Sequence, residues 1–295
     1  MGEGDIWANE RWAIQRPTPT LTRGHLVVVD SDPTRAFDVD AAEQLLAAYR
    51  HARSILLSVL GARGFNLSFP LRWHPDQDSI GEPSPRDDTR QVFHVFGRGS
   101  SDDVSPIRVL AQPARERQPM VTNDLLEAAL REASGSHSEV RPPAPQPSAG
   151  CDGCETPATL QQEIWRADGI RVLRPRGQVT EAQALVLPVR HVVSTGDLTA
   201  HELVTIASRL SELQTYLASR TGSSGLSCFT NDGAAARQET PHVHLHVFGR
   251  ARDEPANPFQ LLGRRLGTGV HPTRPSLSRP TWAGGRGGSR TRCCR

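Results

Sequence analysis

Residues 241–250 read PHVHLHVFGR, and three of the chain's 11 histidines stand there two apart: His242, His244 and His246. An apolar residue follows each of them, which is the alternation of a half-buried strand. Val243, Leu245 and Val247 are assigned to the core. The imidazoles take the opposite face, about 7 Å apart at a rise of about 3.4 Å per residue. Imidazoles in a row pack poorly and are costly to bury without partners. A histidine-rich exposed face and an adventitious metal site are the plain alternatives. A neutral imidazole with an unperturbed pKa of about 6.5 is also a nucleophile at neutral pH.

The pentapeptide HVFGR occurs at 94–98 and again at 246–250. It closes a longer internal repeat, in which 26–69 aligns with 185–229. Each copy starts with a short apolar run and a loop, then reaches a helix start. Asp40 with Glu43, and Thr199 with Glu202, have the spacing of an N-cap and its third residue. Apolar positions at i, i+3 and i+4 then predict a helix of about 20 residues. Leu45, Leu46, Tyr49, Ala52, Leu56, Leu57 and Leu60 mark one face; Leu203, Ile206, Leu210, Leu213 and Leu217 mark the other. A strand follows (NLSF or LSCF), then a variable loop and HVFGR; one single-residue gap is needed. The expectation is an α+β fold of two like units, each a mostly antiparallel sheet with one long helix.

His-x-His-x-His with apolar x resembles the signature of the histidine triad (HIT) superfamily of nucleotide hydrolases and transferases. The stretch TNDGAAARQETPHVHLH agrees, with Asn231, Gly233 and Gln238 at its polar positions, as does ALVLPVRHV at 184–192. The resemblance implies that His244 is a nucleophile forming a nucleotidyl-histidine intermediate. It implies that His246 contacts the phosphate and the leaving-group oxygen, and that Asn231 and Gln238 position ribose or phosphate oxygens. Glu239 stands where the family usually has Ser or Thr, and Arg174-Pro175 replaces a common Asn-Pro; both are substrate-facing departures.

Cys151 and Cys154 form a lone Cys-x-x-Cys, which by itself also fits a redox dithiol or two unpaired loop cysteines. Beside the resemblance, His191 and His242 complete a Cys2His2 set that suits structural Zn²⁺, as in some bacterial HIT proteins and the galactose-1-phosphate uridylyltransferases. Four protein ligands leave no open position for catalysis.

In the first copy His94 aligns with His246, but Val92, Arg90 and Asp32 fall where His244, His242 and His191 stand, and residues 1–150 contain no cysteine. That unit cannot run the same chemistry. Its expected role is architectural, the partner half of an intramolecular pseudo-dimer, with His94, Arg90 and Arg98 as candidates for reaching the substrate. The expected divisions are an N-terminal extension (1–19), the degenerate unit (20–133), a linker rich in proline and serine (134–150), the triad unit (151–262) and an arginine-rich disordered tail (263–295).

Composition narrows the rest. A net charge of +2 implies no nucleic-acid groove. No apolar run is long enough for a membrane span and the N-terminus has no signal-peptide character, so a cytoplasmic setting is expected. All 34 basic residues are arginines, so phosphate must be met by Arg, His or backbone N–H groups. The leading reading is an enzyme acting on a small nucleotide. A non-catalytic nucleotide-binding or regulatory protein, and a zinc-stabilised interaction module, are the alternatives. Trp165 and Ile170 could line a base pocket, though the core is the simpler place for them.

Overall fold

The computed structural model describes residues 4–73, 81–83, 90–99, 104–121, 123–135, 151, 153–154, 163–254 and 257–268. The linker from 136 to 150, the tail from 269 onward with Cys293 and Cys294, and most of the loop at 74–89 lie outside them.

The first half contains β1 (Asp5–Ala8), β2 (Trp12–Gln15), β3 (His25–Asp30), α1 (Val39–Leu60), β4 (Gly64–Leu71) and β5 (Val92–Arg98), then the helices α2 (Pro106–Leu110) and α3 (Asp124–Gly135). The second contains β6 (Glu163–Ala167), β7 (Ile170–Leu173), β8 (Gln183–Pro188), α4 (Ala200–Thr221), β9 (Gly225–Asp232), β10 (Leu245–Arg250) and α5 (Pro258–Thr268). The ten strands of the described residues form one antiparallel sheet in the order β1-β2-β3-β5-β4-β9-β10-β8-β7-β6. Read from either end, the two halves have the same strand order. They meet at β4·β9, where Ser68 stands opposite Phe229 near the centre of the seam.

Local signals explain the two long helices. Thr199 and Glu202 form a complete capping box, and Gly222 closes α4 with a left-handed φ of 70°. For α1 the cap is Asp38, not Asp40: its carboxylate accepts from Ala41 N at 2.9 Å, and Gly61 ends the helix at φ 64°. The repeat is therefore more regular than the sequence alignment with its gap. N-caps, C-caps and the starts of β4 and β9 are each 161 residues apart (199 minus 38, 222 minus 61, 225 minus 64).

Both helices lie on one face of the sheet. Leu45, Leu46, Tyr49, Ile55 and Leu56 of α1 join Ile206, Leu210, Leu213 and Leu217 of α4 in one core with Val243, Leu245 and Val247. Leu57, expected on that face, is 51 % exposed. Ile170 is fully buried, and Trp165 packs against Tyr216 at the margin of the core. On the opposite face a smaller cluster, including Phe96, Phe229, Phe248, Leu110, Phe259 and Leu262, seats α2 and α5.

Three boundaries differ from expectation. Residues 5–15, expected as an extension, form the hairpin β1–β2 and continue the sheet. Helix α3 runs to Gly135, past the start of the expected linker. Helix α5 runs through the start of the expected tail, because Phe259 and Leu262 find an apolar surface to cover.

Candidate active site and metal centre

The triad histidines sit at the entry to β10. The ladder begins only at Leu245. His242 and His244 precede it, anchored by Val243 N donating to Val192 O at 2.6 Å. The expected alternation holds: Val243, Leu245 and Val247 are buried in the core, while His244 and His246 turn to the other face. Their rings are 5.0 Å apart, and His246 stacks parallel to Phe248. They line a cleft of about 380 Å³ together with Asn231, Glu239, Gln183 and Arg174.

Each ring has one nitrogen committed to a protein partner, and that settles the other. His244 Nδ1 is 2.8 Å from the His242 carbonyl, which can only accept, so Nδ1 carries the proton and Nε2 a lone pair. At His246 the partner is Gln183. Gln183 Oε1 accepts from Val179 N at 2.8 Å, which turns its amide Nε2 toward His246 Nδ1 at 3.3 Å. An amide N–H donates, so His246 Nδ1 accepts and its proton sits on Nε2. Burial holds His246 neutral down to about pH 3, with smaller contributions from His244 and Arg265. Burial also lowers His244, against the hydrogen bond to His242 and the opposing field of Glu239.

His242 is fully buried at the edge of the same cleft. Its Nε2 donates to Pro188 O at 2.9 Å, leaving Nδ1 facing Cys151 Sγ at 3.6 Å and Cys154 Sγ at 3.5 Å. His191 Nδ1 lies 3.2 Å from Cys154 Sγ. The four donor atoms, one each from Cys151, Cys154, His191 and His242, lie within 4.8 Å of one another, so these residues can hold a metal ion. Gly153 is required here: a Cβ on it would come within 2.4 Å of the His242 ring. Fully buried Arg171 ties the turn down, donating to Gly153 O at 3.0 Å and pairing with Glu163.

The remaining sequence candidates divide. Asn231 lines the cleft; its Oδ1 accepts from Asn66 Nδ2 of the first half at 2.7 Å. Glu239 lines it as well. Gln238 does not: its Oε1 accepts from Gly233 N at 2.7 Å and its Nε2 donates to Val193 O at 2.8 Å, so it braces the loop. His94 is likewise committed elsewhere. Leu21 N donates to His25 Nδ1, His25 Nε2 to His94 Nδ1, and His94 Nε2 to Pro83 O. Arg98 donates to Val104 O. The first half reaches the cleft through Ile107, while Asn66 holds the lining residue Asn231. Sequence reading also missed Gln183 and Arg265; Gln183 lies one residue before the ALVLPVRHV stretch.

Residues 161–253 match the model of the HIT domain. That segment holds β6 to β10 and the triad histidines. The ADP-glucose phosphorylase from Arabidopsis thaliana, solved with bound ADP-glucose, is 12 % identical with a TM-score of 0.52. The likeness covers 88 % of this chain and 77 % of that one. A GalT-like protein from Arabidopsis thaliana has the same coverages, 11 % identity and a TM-score of 0.51. At such identities the likeness is one of fold, and it spans both halves of the sheet. The C. elegans NitFhit protein is 25 % identical over 36 % of this chain, at a TM-score of 0.30, and the match spans only 26 % of its length. No curated protein matches the chain. Among the described residues, no helix is long and apolar enough to cross a membrane.

Proposed function

We propose that this chain is a nucleotidyl hydrolase or transferase that attacks an α-phosphate through His244. The observation that carries the reading is the tautomer chain: His244 offers a lone pair on Nε2 toward the cleft, and His246 offers a proton on its own Nε2 beside it. In the first step His244 Nε2 bonds to the α-phosphorus and the P–O bond to the leaving group breaks. The electron pair stays on the leaving oxygen. His246 Nε2–H hydrogen-bonds that oxygen or a non-bridging one, and Arg174, Arg176, Arg237 and Arg265 on the cleft wall balance the phosphate charge. Water or a second acceptor then attacks the nucleotidyl-histidine and returns His244 to its starting state. The HIT domain, and the fold shared with an enzyme that binds ADP-glucose, support a nucleotide as substrate.

We also propose that the metal is structural Zn²⁺. With Zn–S near 2.3 Å and Zn–N near 2.0 Å, a tetrahedron has edges of about 3.3–3.8 Å. The sulfur–nitrogen separations of 3.5 and 3.6 Å fall in that range, and the third, 3.2 Å, is just below it. Zinc would lock the start of the unit against the strand entry that presents His244.

Incubation with α-³²P-labelled ADP-glucose and dinucleoside polyphosphates, followed by a basic quench, tests the mechanism. Acid-labile label on the protein, lost in His244→Ala, is expected, together with a fall in turnover of roughly 1,000-fold or more. Label that persists in the variant rejects His244 as nucleophile. Tight nucleotide binding without label or turnover favours the non-catalytic reading.

A further inference from the structure

A second and larger cavity, of about 560 Å³, lies on the opposite side of the sheet from the histidines. It occupies the layer beneath α1 and α4, and both halves of the chain build it. Leu46 and Phe69 come from the first half; Ile206, Leu210, Val243 and Leu245 come from the second. Val243 and Leu245 are the backs of the residues that alternate with the triad.

Close-packed interiors hold few voids larger than a water molecule. A space of this size lies in the range of small-molecule pockets, and an apolar lining holds water poorly while accepting apolar guests. Two polar atoms on its wall, Thr195 Oγ1 and Thr230 Oγ1, are buried without a hydrogen-bond partner among the described residues. Such atoms point to a guest that can hydrogen-bond.

Exposed lining residues show where the cavity meets solvent: Arg35, Arg72 and Ser211. Arg11 and Asp30, also on the wall, neutralise each other in a buried two-bonded pair at 3.2 and 3.0 Å. Arg35 faces Asp40 only at 3.9 Å, with both side chains about half exposed. Arg35 also lies near Asp32, whose carboxyl is lowered by the Thr34 hydroxyl and by the charge of Arg35, and among the described residues Arg72 has no ion pair.

We propose that this cavity is a binding site for a small amphipathic monocarboxylate, an acyl chain or arylalkyl acid. Its apolar body lies between the helices and the sheet, and its carboxylate lies at Arg35 and Arg72.

Isothermal titration of the full, metal-loaded chain with decanoate, and separately with decanol, tests this. Saturable one-to-one decanoate binding is expected. Ser211→Phe at the opening, or Ala207→Phe deeper in the wall, narrows the cavity and weakens binding by about tenfold or more. Replacing Arg35 and Arg72 together by Ala weakens decanoate about tenfold and leaves decanol within about twofold. No saturable binding by folded wild-type protein overturns the proposal, as does binding unchanged in both narrowed variants. Ser211 is an exposed helix position, so that variant stays informative if the deeper one fails to fold. Labelling of His244 is read in the same samples without decanoate, so the failure of either idea leaves the other measurable.

Discussion

His242, His244 and His246 look equivalent in the chain, but the protein gives each ring a different job through one hydrogen bond. Pro188 O aims the Nδ1 of His242 at the two cysteines, the His242 carbonyl frees Nε2 of His244, and Gln183 places the proton of His246 on Nε2. Gln183 is the least obvious of these partners and makes a sharp test. Gln183→Leu removes the donor to His246 Nδ1, so both tautomers become available. We expect kcat to fall roughly 10–100-fold with KM changed by less than about threefold. An unchanged kcat, with zinc content and melting temperature preserved, would show that Gln183 does not position His246. The metal ligands are open to a parallel test. Because Gly153 has no room for a Cβ, Gly153→Ala must displace the His242 ring. Zinc content measured by plasma mass spectrometry should fall well below one per chain; a full complement would refute the Cys2His2 assignment.

Among the elements, the capped helices and the seam carry the architecture. Removing the α4 cap with Thr199→Ala breaks the capping box and should cost about 1 kcal/mol in urea unfolding. Asp232, at the end of β9, accepts from Tyr49 Oη at 2.8 Å and from Thr195 N and Ser194 Oγ at 3.0 Å. That one carboxylate ties α1 of the first half to a loop of the second. Helix α5 is an element of a different kind. It lies outside the matched HIT segment, seats on Phe229 and Phe248, and brings Arg265 to the cleft wall, where its guanidinium donates to Gly177 O at 2.7 Å.

Across the whole molecule, the first half joins the triad half through β4 and β9. It covers the β9 edge, which would otherwise offer a row of unpaired backbone groups. Residues 151–268 expressed alone should therefore self-associate, and analytical ultracentrifugation should show dimers or larger species; a stable monomer would contradict the argument. In the first half His94, which aligns with His246, is committed to packing. His25 and His94 form a relay in which every ring nitrogen is occupied by neutral partners; burial holds His94 unprotonated down to about pH 4 and pushes His25 well below its ordinary value. The unfolded chain takes up those protons near pH 6.5. Between about pH 6.5 and 4 the unfolded state binds more protons, so stability falls as pH drops through that window. The contribution of His94 is roughly 3 kcal/mol at full extent. Urea midpoints of His94→Gln should decline less steeply over the window than those of the wild type; parallel slopes would refute the linkage.

Residue order alone determined the two-unit plan, the long helices, the histidine strand and the Cys2His2 set. The first three rest on periodicity, capping chemistry and spacing along the chain, whereas the Cys2His2 set comes from the resemblance of the triad segment to a known family. It placed the α1 cap two residues late because Asp38 and Asp40 are equally competent acids, and only the helix geometry chooses between them. It offered Gln238 and His94 to the substrate because their types suit that role. Tertiary packing assigned both to structural partners, and put Gln183 and Arg265 at the cleft and Asn66 behind Asn231. Which nitrogen of each histidine is free depends on carbonyls and amides that come together only across strands and loops. No pattern along the chain encodes that choice, because hydrogen-bond partners are selected by distance in the folded state.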